Sequence, residues 1–144
     1  MKVSNKSITK IKEFEGVRLR AYKAVPSEKY FTIGYGHYSK DININTTITI
    51  EKADEYFLKD ISNVERQVNS LGLSLNQNQF DAICDFCFNI GFAKFQTSTL
   101  LKKIKENAPI IDIQREFLKW NKSGGKVLLG LIKRRVWESN LFAQ

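Results

Sequence analysis

Glu15 is a carboxylate whose place in the sequence conflicts with its neighbours. Residues 4–15 carry apolar side chains at helical spacing, and Glu15 follows Ile11 by four positions, so it shares the apolar face of the predicted helix. Burial raises the pKa of a carboxyl, and an acid that stays protonated can donate its proton to a leaving oxygen. Glu15 is therefore a candidate general acid. The alternative is an outward side chain paired with Arg18 or Arg20.

Thr32 offers a hydroxyl that could help to position a water molecule. It lies in the second of two short β-forming runs, residues 19–22 and 30–33, which are separated by the turn-type sequence Pro26-Ser27-Glu28-Lys29. These runs predict a small antiparallel hairpin. Threonine is also simply a good β-former, so its position alone leaves a purely structural role open.

Metal and cysteine chemistry are disfavoured by the residue types. The chain has 1 His and 2 Cys, so a zinc site with two histidines is excluded. Cys84 and Cys87 form a CxxC, but they fall on the apolar stripe of a predicted helix, which indicates buried structural thiols. A cysteine hydrolase using either thiol with His37 is therefore disfavoured, and we expect neither a metal nor a cofactor.

The elements that must position these residues are mostly helical. Helices are predicted at residues 4–15, 50–70 with Thr49 as N-cap, 76–91, 97–106, 110–120 and 126–142. Core packing is the expected role of five aromatic side chains, namely Phe80, Phe88, Phe117, Trp120 and Trp137. The predicted fold class is α+β, with helix dominating.

The charge balance predicts an anionic partner. The 144 residues contain 23 Lys and Arg against 15 Asp and Glu, a formal net charge of +8, which would attract nucleic acid, anionic lipid or a bacterial cell wall. Residues 1–11 carry three lysines and no apolar run, so we expect no signal peptide and a cytoplasmic start. No stretch approaches the ~18 consecutive apolar residues of a membrane span.

A series of short motifs runs through almost the whole chain. They are Phe14-Glu15-Gly16-Val17-Arg18-Leu19-Arg20-Ala21-Tyr22, Phe31-Thr32-Ile33-Gly34-Tyr35-Gly36-His37, Gln77-Asn78-Gln79-Phe80-Asp81-Ala82, Phe88-Asn89-Ile90-Gly91, Ser98-Thr99-Leu100-Leu101, Phe117-Leu118-Lys119-Trp120-Asn121-Lys122, Gly124-Gly125-Lys126-Val127 and Gly130-Leu131 with Arg134-Arg135. The series resembles the phage-type lysozymes, glycoside hydrolase family 24. The resemblance implies one domain, 1–144, with a hairpin lobe at about 17–45 and a helical lobe at about 50–144 plus the N-terminal helix, joined by a long helix.

The same resemblance implies cleavage of the β-1,4 bond between N-acetylmuramic acid and N-acetylglucosamine in peptidoglycan. Family members use a Glu, an Asp or Cys nine positions later, and a Thr six positions after that, so Glu15 and Thr32 take the first and last roles. The middle position is Ala24, and eight rather than six positions separate it from Thr32. We hypothesise that Glu28, brought in by the longer loop, replaces the missing acid; a solvated turn residue is the alternative.

Three functions remain open at this point. With Glu15 as acid and with Glu28 and Thr32 holding a water, cleavage would invert the sugar if the carboxyls stand roughly 6.5 to 9.5 Å apart, and a shorter separation would give retention. Glu15 acting alone, with the muramic 6-hydroxyl as nucleophile, would make a lytic transglycosylase. A non-catalytic cell-wall or nucleic-acid binder is the third possibility.

Further roles and partners follow from the resemblance. Tyr35, Asn89, Asn121 and Lys122 are candidate substrate-binding residues. His37 is expected to order the hairpin through a hydrogen bond, whereas Arg134 and Arg135 either add positive charge or lie on a solvated face. The implied partner is peptidoglycan rather than nucleic acid or a membrane. We expect a monomer that waits in the host cytoplasm until a holin opens the membrane, and then acts on the cell wall.

Overall fold

The structure, a computed structural model, describes all 144 residues. The helices are α1 (Asn5–Glu15), α2 (Ile50–Asn69), α3 (Gln77–Ile90), α4 (Phe92–Gln96), α5 (Thr99–Lys105), α6 (Ile110–Leu118) and α7 (Leu129–Phe142). The strands are β1 (Arg18–Tyr22), β2 (Phe31–Gly34), β3 (His37–Ser39), β4 (Lys122–Ser123) and β5 (Lys126–Val127). The predicted α+β class with dominant helix is confirmed. None of the helices combines the length and the apolar character needed to cross a bilayer.

The chain divides into two compact units, one formed by Ile8–Asn63 and the other by Met1–Ser7 together with Val64–Gln144. The Ile8–Asn63 unit contains the sheet, whose strands run antiparallel in the order β1-β2-β3. The predicted hairpin therefore gains a third strand. Gly34 and Gly36 have φ values of 66° and 77°, and this left-handed backbone allows the chain to reverse between β2 and β3.

Strand β1 is irregular, and the irregularity sets which side chains meet. Arg18 lies opposite Gly34 and Tyr22 lies opposite Thr32, so β1 spans four residues where β2 spans two. The two additional residues form a β-bulge in β1. The β1 backbone at the bulge pairs with residues 46–48 instead of β2, and Ala21 N donates to Thr46 O at 3.0 Å. The bulge therefore places Tyr22 directly across from Thr32.

One face of this sheet is apolar. Its cluster consists of the buried side chains Ala21, Ile33 and Ile42, with Phe31, Ile48 and Tyr56 packed against it. Because side chains alternate along a strand, Tyr22 and Thr32, the sequence neighbours of Ala21 and Ile33, belong to the opposite face. The sheet thus separates its small core from the face that carries the polar candidates.

Helix α2 begins where the sequence predicts, and His37 connects it to β3. Thr49 Oγ1 accepts a hydrogen bond from Lys52 N at 3.1 Å, which confirms the predicted N-cap. His37 Nδ1 lies 2.8 Å from Asp60 Oδ2, and its ring stacks on Tyr56 with centroids 4.2 Å apart. The expected hydrogen bond of His37 exists, but it ties β3 to α2 rather than bracing the hairpin internally.

The second unit is a helical bundle in which α3 packs on α7, α7 on α6, and α6 on α5. A capping box at Asn76 starts α3. Cys84 and Cys87 are buried free thiols, and burial raises the pKa of both well above the ordinary range of a thiol. The prediction of buried structural cysteines is confirmed.

Two arginines of α7 overturn the expectation of a solvated face. Arg134 and Arg135 are only 4% and 0% exposed. Arg134 Nη2 lies 2.6 Å from Asp85 Oδ1, and Arg135 Nε lies 2.6 Å from Glu138 Oε2. Burial, with Asp85 nearby, raises the pKa of Glu138, and both arginines act to lower it. Neither arginine contributes charge to the surface, because each is paired inside the bundle.

Several predicted boundaries in this unit need correction. The last helix begins at Leu129, since residues 122–127 form the β4–β5 hairpin around Gly124 and Gly125, whose φ values are 56° and 78°. The region 97–106 is helical only from Thr99, after the Ser98 N-cap, and the short helix α4 precedes it.

The expected aromatic core is confirmed only in part. Phe80 and Phe117 are buried. Trp120 is half-buried and packs edge-on against Phe86 at 5.5 Å. Phe88 and Trp137 are half-buried, so they lie at the margin of the core rather than within it.

Candidate active site

Glu15 lies at the end of α1, where the helix stops at Gly16. Gly16 has a φ of 65° and its N–H donates to Lys12 O at 2.9 Å, which is the usual glycine ending of a helix. The Glu15 side chain is half-buried. Its Oε2 atom lies only 2.9 Å from the place that a Cβ on Gly36 would occupy. The carboxylate therefore rests against the β2–β3 turn, in space left by the absent side chain.

Tyr22 lies opposite Thr32, one of the three predicted catalytic residues. It is in register with Thr32, and residues directly opposite in a sheet have Cβ atoms ~5 Å apart. The pKa of the Tyr22 phenol is raised, chiefly by partial burial; Arg18 lowers it, and the Glu15 and Glu28 carboxylates raise it further. Glu15 and Glu28 therefore both act on the ring that faces Thr32. The three predicted catalytic residues all belong to the Ile8–Asn63 unit.

Glu28 follows a tight turn in the loop between β1 and β2, where its N–H donates to Val25 O at 3.1 Å. Glu28 is half-buried, whereas Ala24, Ser27 and Lys29 are exposed. The Glu28 side chain is therefore better shielded from water than its immediate neighbours in the loop.

Tyr35 occupies the turn between β2 and β3 in the same unit. Its ring packs edge-on against Phe57 with centroids 5.8 Å apart, and Lys12 Nζ lies 5.1 Å from its centroid. Lys12 also pairs with Asp54 at 2.9 Å. The Tyr35 ring is therefore held firmly from two sides, and its half-buried position leaves part of it accessible.

The other three predicted binding residues belong to the second unit. Asn89 stands near the end of α3, and its Oδ1 atom is buried without a hydrogen-bond partner. The Asn121 carbonyl accepts from Leu128 N at 3.0 Å, which closes the base of the β4–β5 hairpin. Lys122 is exposed in β4. The orphaned acceptor on Asn89 is the most informative feature of this group, because buried polar atoms normally have partners.

Sequence reasoning missed two residues of the site, Tyr22 and Gly36. The sequence places Tyr22 in the first β-forming run. It does not predict that Tyr22 lies opposite Thr32, because this pairing depends on a bulge that changes the register. The sequence shows Gly36 only as part of a motif, and the structure shows which side chain needs its space: the Glu15 carboxylate.

Comparisons with known proteins identify relatives that match nearly the whole chain. The family model described as Phage lysozyme matches residues 12–138. The endolysin of Bacillus phage PZA is 45% identical over 143 residues, covering 99% of this chain and 55% of that protein, so the chain spans about half the length of this relative. The endolysin of Acyrthosiphon pisum secondary endosymbiont phage 1 is 43% identical over 147 residues, covering 99% of this chain and 98% of that protein.

A solved structure is similar to this chain in fold. The muramidase domain of SpmX from Asticaccaulis excentricus matches with a TM-score of 0.87 and 34% identity, covering 99% of this chain and 98% of that one. The lysozyme-like fold implied by the motifs is confirmed. The chain belongs to the phage lysozyme family.

Proposed function

We propose that this chain is an endolysin muramidase that hydrolyses the β-1,4 bond between N-acetylmuramic acid and N-acetylglucosamine in peptidoglycan. One observation carries the proposal: the half-buried Glu15 carboxylate lies against Gly36, in the turn that directly follows the strand of Thr32. Membership of the phage lysozyme family and relatives named endolysins support the same activity.

In the proposed reaction Glu15 donates its proton to the glycosidic oxygen as the bond to the muramic acid C1 breaks. Glu28, assisted by the Thr32 hydroxyl, takes a proton from a water molecule, and that water's oxygen bonds to C1 from the opposite face. Positive charge that develops on the sugar ring is stabilised by the ionised Glu28. Water is thus split across the bond with inversion, and the reaction as written needs no metal or cofactor.

Four side chains are proposed to bind substrate. Asn89 is half-buried, and its side-chain amide offers a donor and an acceptor for an acetamido group. Tyr35 offers a ring edge to a sugar, Asn121 an amide, and the exposed Lys122 a cation for carboxylates of the peptide stem. The net charge of +8 would concentrate the enzyme on an anionic wall, and added salt would weaken this attraction.

The site of action is proposed to be the bacterial cell wall at lysis. The endolysin names of the relatives support this assignment. We propose that the enzyme works as a monomer, stays in the host cytoplasm until lysis and reaches the wall through a membrane opened by a holin.

Replacement of Glu28 by Gln tests the assignment of the water-activating carboxylate. We expect the rate of glycan cleavage to fall about a hundred-fold or more, because the amide cannot accept the water's proton. The assay is the release of reducing sugar from purified peptidoglycan. Glu51→Gln is the control, since Glu51 is exposed at the start of α2 and its loss changes the net charge equally. Equal rates for the two variants would remove Glu28 from the mechanism.

Replacement of Gly36 by Ala tests whether Glu15 needs the space beside this turn. The new methyl group would stand 2.9 Å from Glu15 Oε2, so the carboxylate must move. Because a displacement of ~1 Å can cost about a hundred-fold in rate, we expect a loss of that order in reducing-sugar release.

Gly72→Ala is the matched control for the Gly36 variant. Gly72 also has a positive φ, 63°, but nothing lies within 4 Å of its added Cβ. Both variants should lose ~1 to 2 kcal/mol of stability from backbone strain. Only the Gly36 variant should lose activity, and a fully active Gly36→Ala enzyme would contradict the placement of Glu15.

A further inference from the structure

Tyr38 in strand β3 is the one aromatic side chain of this protein that is exposed to solvent. Its exposed fraction is 49%, whereas every phenylalanine, both tryptophans and the other tyrosines are buried or half-buried. An aromatic ring gains free energy when it leaves water, so a ring that stays at the surface stands apart from the other aromatic side chains. Packing within the chain does not account for the position of Tyr38.

The Tyr38 ring is held in place at the surface. Its hydroxyl accepts a hydrogen bond from Tyr30 N at 3.1 Å, and the centroids of the two tyrosine rings are 5.5 Å apart, with their planes at 52°. The Tyr30 ring is half-buried and has the Lys29 ammonium 5.4 Å from its centroid, so Tyr38 is the ring of this pair that is open to solvent. Because its orientation is already fixed, Tyr38 loses little conformational entropy when a ligand packs on it.

The register places Tyr38 beside the candidate catalytic threonine. Tyr38 in β3 is paired with Thr32 in β2, so the two side chains are neighbours on one face of the sheet. The residues before and after Tyr38 belong to the opposite face, where His37 stacks on Tyr56 of α2. A ligand that packs on Tyr38 from the solvent side therefore lies next to Thr32.

The chemistry of this surface matches a sugar ring better than a protein or a lipid. Its apolar area is a single aromatic ring, bordered by the Thr32 side chain and by the hydroxyl of Tyr38 itself. Protein and membrane contacts need a larger apolar patch. The pyranose rings of N-acetylglucosamine and N-acetylmuramic acid have an apolar face of C–H groups and a polar rim, which fit an exposed ring with hydroxyl groups at its edge.

We propose that Tyr38 forms a glycan subsite beside Thr32, in which an N-acetylhexosamine ring packs on the exposed aromatic face. This inference rests on the proposed function, since that function supplies the glycan. The Tyr38 hydroxyl keeps its own proton while it accepts from Tyr30 N, so it can also donate to a sugar oxygen. Packing on a sugar face is equally strong before and during bond cleavage, so Tyr38 contributes to substrate binding and not to the chemical step.

Replacement of Tyr38 by Ala tests the subsite, with soluble peptidoglycan strands as the substrate. We expect KM to rise about ten-fold while kcat changes little, because the lost contact binds the ground state and the transition state equally. Tyr38→Phe keeps the ring and should raise KM by no more than about two-fold. Leu58→Ala is the control: Leu58 is an apolar side chain of α2 that is 55% exposed, and its loss should not change KM.

Binding measured without catalysis separates this inference from the proposed function. In an NMR titration with the soluble β-1,4-linked trimer of N-acetylglucosamine, the ring protons of Tyr38 should shift, and Tyr38→Ala should weaken binding about ten-fold. If Tyr38→Ala cleaves with the KM of the wild type, the subsite is wrong and the proposed function stands. If the wild type releases no sugar ends, the proposed function fails and the titration alone decides: shifted Tyr38 signals support the subsite, and unshifted signals overturn it.

Discussion

Replacement of Glu15 by Gln should lower the rate of peptidoglycan cleavage by about a thousand-fold, the largest catalytic effect that we expect from one substitution. Glutamine has the shape of glutamic acid but has no proton to give the leaving oxygen. The residue ends a helix at a half-buried position, so the amide can be accommodated without unfolding. Release of reducing sugar measures the loss, and sedimentation with insoluble peptidoglycan should find binding intact.

Glu13→Gln is the matched control for this prediction. Glu13 lies two positions earlier on α1, and its ion pair with Lys10 is long, at 3.5 Å, and exposed. Such surface pairs contribute little to stability, and the charge change equals that of the Glu15 variant. The two variants should therefore differ only in activity. A Glu15→Gln enzyme that cleaves as fast as Glu13→Gln would show that the proton comes from elsewhere.

Replacement of Arg134 by Met should produce the largest loss of stability. The Asp85 side chain is fully buried and is held by Arg134 through contacts of 2.6 to 3.2 Å. Removing one partner of a buried ion pair leaves the other charge unpaired in the interior, which costs about 3 to 5 kcal/mol. Urea unfolding monitored by circular dichroism should detect this as a lower midpoint.

Two further variants separate the burial effect from the loss of an arginine. The double variant Asp85→Leu with Arg134→Met should recover much of the stability, since neither charge then remains buried. Lys52→Met, which breaks an exposed pair with Glu55, should change stability by less than about 1 kcal/mol. The argument from burial would be contradicted if Arg134→Met were no more damaging than Lys52→Met.

The elements that the sequence predicted well are those with a strong local pattern. The apolar steps of α2 and its Thr49 cap placed this helix within one residue of its observed end. Strand β3 was missed because it has only three residues, His37–Ser39, too few to display an alternation. The β4–β5 hairpin was missed because the predicted helix at 126–142 covers its second strand, although the adjacent Gly124 and Gly125 favour a tight hairpin turn.

The remaining misses depend on residues that are distant in the chain. No residue near Arg134 in the sequence indicates that its partner is Asp85, which lies 49 positions away. The ion pair with Asp85 allows Arg134 to be buried, although its charge suggests a surface position. Tyr22 belongs to the candidate site through a bulge that shifts its register onto Thr32, and such pairing depends on the folded sheet. Glu15 could be found early because its conflict with the apolar face is local to α1.

Mass spectrometry of the fragments released from purified peptidoglycan tests the central claim most directly. Hydrolysis by Glu15 and an activated water predicts fragments that end in reducing N-acetylmuramic acid. Fragments that end in anhydro-muramic acid, one water lighter, would contradict this account, because they require the muramic 6-hydroxyl as nucleophile. No water would then be activated, and Glu28 would have no role in the reaction. Unchanged peptidoglycan would contradict it more severely, since the chain would then not cut the glycan at all.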